Sequence, residues 1–173
     1  MNEVRLKLEN REPMEKCNIN TPVDAIEFIQ EMLVGLACEY LVALHLNSAN
    51  EPMNFHIVSG GGISEAYVDP KALFTTALLQ ASSKIILVHN HPSGDVEPSE
   101  ADINITDRLI ADAAMMNLEI LDHIIVSDKK IFSFSDNGIM NMKDSVYQDE
   151  LKMYLYMHGQ TNQKRTFKHF WQH

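Results

Sequence analysis

Two histidines one residue apart, His89-Asn90-His91, close an apolar run Lys84-Ile85-Ile86-Leu87-Val88, and Asp102 follows inside Pro98-Ser99-Glu100-Ala101-Asp102. The apolar run reads as a strand covered on both faces, and therefore central in its sheet. Residues i and i+2 of a strand point to the same side, so both imidazoles can serve one metal ion. Pro98-Ser99 opens a helix reaching about Met116, which puts Asp102 in the first turn. The loop between is long enough to fold that helix start back over the strand end. Two imidazoles and one carboxylate leave a fourth coordination position for water, as catalytic zinc sites do. Zinc lowers the pKa of such a water and polarises a carbonyl, so the chemistry of this set would be hydrolysis.

Each piece also has a plainer reading. Ser99 to Asp102 is an ordinary helix start, with serine capping and an acid in the first turn. A His-x-His pair at a strand end can simply pack or face solvent. Ser93, beside Gly94, reads as a turn residue with no nucleophilic role. His123 follows Asp122 into an apolar strand, where it could steady a metal ligand from behind. His45, His56, His158, His169 and His173 lack ligand-like spacing and read as incidental.

The elements that must position these residues follow from periodicity and punctuation. Thr21-Pro22 starts a helix over Pro22 to Leu36, with Val23, Ile26, Ile29, Leu33 and Leu36 on the face committed to a core. Glu39 to Leu46 reads as a largely buried strand, Asn47 to Glu51 as a turn and Met53 to Ser59 as a second strand, together a hairpin. Gly60-Gly61-Gly62 is a flexible connection; no G-K-[S/T] follows to make it a phosphate cradle. Asp69-Pro70 opens a helix from Lys71 to Ala81, with Ala72, Leu73, Ala77 and Leu78 spaced for burial. Glu119 to Val126 and Lys130 to Ser135 supply two further strands, around a turn at Asp128. The expected fold is α/β, a mixed sheet between helices. Residues 1–20 form an N-terminal arm, 21–140 the domain, and 141–173 a C-terminal helix, Asp144 to Met157, with a polar tail.

The bulk composition narrows the function classes. A chain of 173 residues, 45% hydrophobic and 22% charged, suits one globular domain with a sizeable core. A formal net charge of -10 repels a phosphate backbone, so binding to duplex DNA is disfavoured. Cys17 and Cys38 form no C-x-x-C, which suits a reducing compartment. The start of the chain has no signal-peptide block, and no stretch approaches the roughly 18 apolar residues of a membrane span. A cytoplasmic protein is expected.

His-x-His, seven residues, then Ser-x-x-Asp resembles the JAMM signature of MPN domains, and the intervening HPSG and PS resemble its RadC-like form. The likeness runs from Glu39 to Gly138 through KIILVHNHPSGD, PSEAD, Asp122-His123-Ile124-Ile125-Val126 and Phe132-Ser133-Phe134. It implies the cytidine-deaminase-like, three-layer α-β-α fold and zinc-dependent peptidase or isopeptidase chemistry. On the same resemblance, one zinc ion per chain would sit on His89, His91 and Asp102. Glu39 would be the general base, and Ser99 would donate to the developing oxyanion. Full-length RadC-like proteins usually begin with a helix-hairpin-helix region, and this chain is read as a short form without it.

Rival classes remain. From Leu151 onward Lys152, Lys164, Arg165 and Lys168 are interleaved with Tyr154, Tyr156, Phe167, Phe170 and Trp171 and no acid, a pattern that can hold single-stranded nucleic acid or dock as a helix. An accessory protein of DNA repair or mobile DNA is one alternative, and a zinc-containing scaffold without turnover is another. A zinc nucleoside deaminase is disfavoured by the lack of H-x-E and P-C-x-x-C. The partner expected is a peptide or protein substrate; the oligomeric state is left open, a homodimer included.

Overall fold

Helix starts in this chain are written into its capping residues. In the computed structural model, which describes residues 17–33, 36–60, 68–127 and 130–140, all three helices begin at such a cap. Thr21 Oγ1 accepts from the Asp24 N–H at 3.2 Å ahead of α1 (Pro22–Leu33). Asp69 accepts from the Lys71 N–H at 3.0 Å ahead of α2 (Pro70–Leu79). Ser99 and Asp102 form a reciprocal capping box at the head of α3 (Glu100–Met115). The strands are β1 (Tyr40–Leu46), β2 (Pro52–Gly60), β3 (Lys84–Asn90), β4 (Glu119–Val126) and β5 (Ile131–Ser133). They form one sheet in the order β2-β1-β3-β4-β5, antiparallel except between β3 and β4. β3 is central, as its unbroken apolar run requires.

Alternation along β1 and β3 divides the core into two layers. Leu41, Ala43, Ile85 and Leu87 pack with Leu73, Phe74 and Ala77 of α2 and Leu109, Ile110 and Ala113 of α3. Val42, Leu44, Leu46, Ile86 and Val88 pack on the other face with Ala25, Ile26, Ile29 and Leu33 of α1. The result is the expected α-β-α sandwich. Ile19 is also buried in the α1 layer, its N–H donating to the Asn50 carbonyl at 2.9 Å. Residues 1–16 of the expected arm, Gly61-Gly62, Asp128, and the C-terminal helix and tail lie outside the described residues.

Two helix faces differ from expectation. α1 is described over Pro22–Leu33 and Leu36 is not helical, and Val23 is 49% exposed; the buried stripe starts instead from Ala25. In α2, Ala72 and Leu78 are exposed while Phe74 is buried with Leu73 and Ala77. That helix is apolar nearly all round, so periodicity alone could not choose its inward face.

A bulge in β4 sets which face His123 takes. Ile85 pairs with Ile120 but Ile86 pairs with Asp122, so Leu121 is inserted and the alternation changes phase. His123 thereby joins Leu87 and the α3 side, while Asp122 falls on the α1 side beside Ile86.

His45 and His56, expected to be incidental, form a pair. His45 is fully buried, its Nε2 lies 2.9 Å from His56 Nδ1, and the rings stack. One neutral imidazole donates to the other. Burial, then the neighbouring His56, pushes the His45 pKa from 6.5 down to about 4, and burial lowers that of His56 as well. The unfolded chain therefore binds more protons between those values, and stability is lost as pH falls from 6.5 towards 4. For His45 alone the loss between pH 7 and pH 5 is on the order of 2 kcal/mol. Urea unfolding of the wild type and His45→Leu at both pH values should show the variant's pH slope smaller by about that amount. Equal slopes would assign the proton uptake to other groups.

Candidate metal centre

The carboxyl end of β3, the first turn of α3 and the entry to β1 converge at one place. His89 lies on the same face of β3 as Leu87, turned towards α3, and Leu41 is its partner on β1. The chain then turns through Pro92-Ser93-Gly94, where Gly94 adopts φ 85, a conformation favouring glycine. The capping box returns Asp102 to the strand end. As a result His89, His91 and Asp102 are brought together, with one ligand atom from each within 4.8 Å of the others.

The geometry within the cluster is specific. His89 Nδ1 is 3.3 Å from Asp102 Oδ1, and His91 Nε2 is 3.9 Å from Asp102 Oδ2. Donor atoms on one tetrahedral zinc ion stand about 3.4 Å apart. His91 Nδ1 is held by the Asp95 carbonyl at 2.8 Å, which leaves Nε2 with its lone pair towards Asp102. His89 Nε2 is buried with no hydrogen-bond partner. An orphaned buried nitrogen beside a second free imidazole nitrogen and a carboxylate is what a bound cation would satisfy, and the set fits one.

Asp102 is prepared to remain an anion. Burial alone would raise its pKa, but hydrogen bonds from His89 and from the Ser99 hydroxyl and N–H outweigh it and hold the carboxyl well below the usual range. The Ser99 hydroxyl donates to Asp102 Oδ2 at 2.6 Å and accepts from the Asp102 N–H at 3.1 Å. Ser99 is thus both the helix cap and a hand on the carboxylate. Glu39, just before β1, places Oε2 3.9 Å from His89 Nε2.

His123 lies behind the cluster. Its ring stacks between His89, at a centroid distance of 6.2 Å, and Phe134, at 4.6 Å. The Thr106 hydroxyl donates to the Asp102 carbonyl, and its oxygen accepts from His123 Nδ1 at 2.6 Å. Burial, then the neighbouring His89, pushes the His123 pKa down to about 3, so the ring stays neutral. Asp122 is elsewhere, on the opposite face, tying the β5 turn through Ser133 Oγ at 2.6 Å and the Ser135 N–H at 2.9 Å.

Two residues that spacing did not single out belong here. Thr106 stands one turn after Asp102, on the same side of α3, which is a signal readable in retrospect. Asn90, between the two histidines, is buried; its Oδ1 accepts from the Tyr40 N–H at 2.8 Å and its Nδ2 donates to the Cys38 carbonyl at 3.0 Å. Nothing local signals that role, because both partners lie some fifty residues away, |i−j| of 50 and 52.

Known proteins share this arrangement of sequence. Residues 19–139 match the family model described as a RadC-like JAB domain. A UPF0758 protein of Pelodictyon phaeoclathratiforme is 39% identical over 127 residues, 71% of this chain and 57% of its own length. One from Shouchella clausii is 40% identical over 120 residues, covering 69% and 52%, and one from Bacillus cereus strain G9842 is 36% identical over 135 residues, covering 78% and 58%. The chain therefore spans little more than half the length of the curated relatives it matches. With a mixed five-stranded sheet and three helices among the described residues, and a family match over most of its length, the chain belongs to the RadC-like JAB domain family, of the JAMM/MPN kind.

Proposed function

We propose that this domain is a zinc-dependent hydrolase of the JAMM metallopeptidase type, acting on a peptide or isopeptide bond. The observation that carries the reading is convergence: Glu39, from a segment remote in sequence, places its carboxylate 3.9 Å from His89 Nε2, beside the three-residue cluster. Zinc held by His89, His91 and Asp102 would acidify a water and polarise the scissile carbonyl. Glu39 takes the proton of the attacking water at its carboxylate and returns it to the nitrogen of the leaving amine. Ser99 donates its hydroxyl to the developing oxyanion, giving up Asp102 Oδ2 to do so, while its N–H, 2.8 Å from the same oxygen, stays on the carboxylate. His123 and Thr106 keep the ligand side chains in place from behind.

Peptide or protein is the substrate class that follows. Weak or absent binding to duplex DNA follows from the net charge of -10. Among the described residues no helix is long and apolar enough to cross a membrane, and a cytoplasmic setting is part of the same reading. The test is a screen of peptides and isopeptides with zinc-loaded protein, each reaction paired with a chelator control. Chelator-sensitive cleavage is expected. No turnover across a broad library would favour a metal-holding scaffold.

A further inference from the structure

The strand ladders do not hold Glu39 at the entry to β1. Glu39 precedes the first residue of the strand, and Ala37 and Cys38 before it are exposed and irregular. The ladder between β1 and β3 stops at the pair Leu41 and His89. One step beyond it, the Asn90 side chain continues the pairing in place of the backbone. Its Oδ1 accepts from the Tyr40 N–H at 2.8 Å, and its Nδ2 donates to the Cys38 carbonyl at 3.0 Å. Those two groups belong to the two peptide units that flank the Glu39 Cα, so together they fix both of its backbone dihedrals. On the far side, the Tyr40 ring lies over Gly60, where any Cβ would collide with it, so the ring next to Glu39 is seated as well.

We infer that Asn90 is a positioning residue for Glu39, a carboxamide clamp that sets the carboxylate against His89 Nε2 without touching substrate or metal; the inference rests on the hydrolase reading above. The role needs one donor and one acceptor on the same short side chain. Aspartate keeps the acceptor and faces the Cys38 carbonyl with a second oxygen. Leucine keeps the volume and neither bond. Asn90 itself is buried, while the two bonds it makes are part-buried at the strand entry, so water competes with them only in part. Displacement of a reacting group by about 1 Å can cost about 100-fold in rate.

The test is a double-mutant cycle on the zinc-loaded full chain: wild type, Asn90→Leu, Glu39→Gln and the double variant. Each is measured for kcat, KM, zinc content, and exchange of the Tyr40 amide proton by NMR. In Asn90→Leu, the Tyr40 amide should exchange at least about 10-fold faster with zinc content unchanged, and kcat should fall about 10-fold or more with KM little moved. In the Glu39→Gln background the same change should cost under about 2-fold, because there is no base left to misplace. Equal cost in both backgrounds, or an unchanged Tyr40 amide, overturns the inference while leaving the hydrolase reading intact. If the wild type hydrolyses nothing, the hydrolase reading fails, and Tyr40 exchange alone decides whether the clamp exists. Should Asn90→Leu fail to fold, Asn90→Asp carries the same comparison, with the Cys38 side of the clamp lost.

Discussion

Glu39→Gln should lower kcat by 100-fold or more while the protein folds and retains its metal, a loss of at least about 2.7 kcal/mol of transition-state stabilisation. The substitution keeps the size and shape of the side chain and removes only its ability to take a proton. Folding should be indifferent, because Glu39 is 36% exposed in its side chain and lies outside the sheet ladder. The metal should be indifferent because the cluster of His89, His91 and Asp102 is complete without it. KM should stay near the wild-type value, since proton transfer belongs to the transition state rather than to substrate binding. Chelator-sensitive hydrolysis that persists undiminished in Glu39→Gln would refute the base. A parallel drop in zinc content would make Glu39 a metal ligand instead.

The clustering of His89, His91 and Asp102 was legible because it is local. His-x-His at the end of an apolar run and a serine-capped helix start each admit a plainer reading alone, but their combination at this spacing resembles the JAMM signature, and the turn at Gly94 joins them. The layer order was legible as well, since the β3 run can only be a central strand. Other features depend on register between remote segments. Ala43 faces His56 and His45 faces Asn54 on β1 and β2, with bulges either side, so the His45–His56 pair is diagonal and has no signature in the spacing. His123 reaches the site only because the Leu121 bulge changes the phase of β4. The inward face of α2 was ambiguous because Ala72, Leu73, Phe74, Ala77, Leu78 and Leu79 nearly encircle it. Glu39 illustrates the division: resemblance to the family could nominate it among 24 acidic residues, but spacing alone could not.

Purified protein should contain about one zinc per chain, and a His89→Ala, His91→Ala double variant should contain almost none. The argument is one of donors. Removing both imidazoles leaves Asp102 as the sole member of the cluster, and its Oδ2 is already engaged by the Ser99 N–H and hydroxyl at 2.8 and 2.6 Å. A single carboxylate does not hold a zinc ion against water. Metal that binds only the folded chain also stabilises it, so added zinc should raise the wild-type melting temperature and leave that of the double variant unmoved. That contrast separates loss of the site from loss of the fold, because His89→Ala alone removes one of the bonds that keep buried Asp102 ionised and will cost some stability by itself. Elemental analysis decides the matter. Full zinc occupancy in the double variant would place the metal elsewhere on the chain, and the orphaned His89 Nε2 would then need another partner.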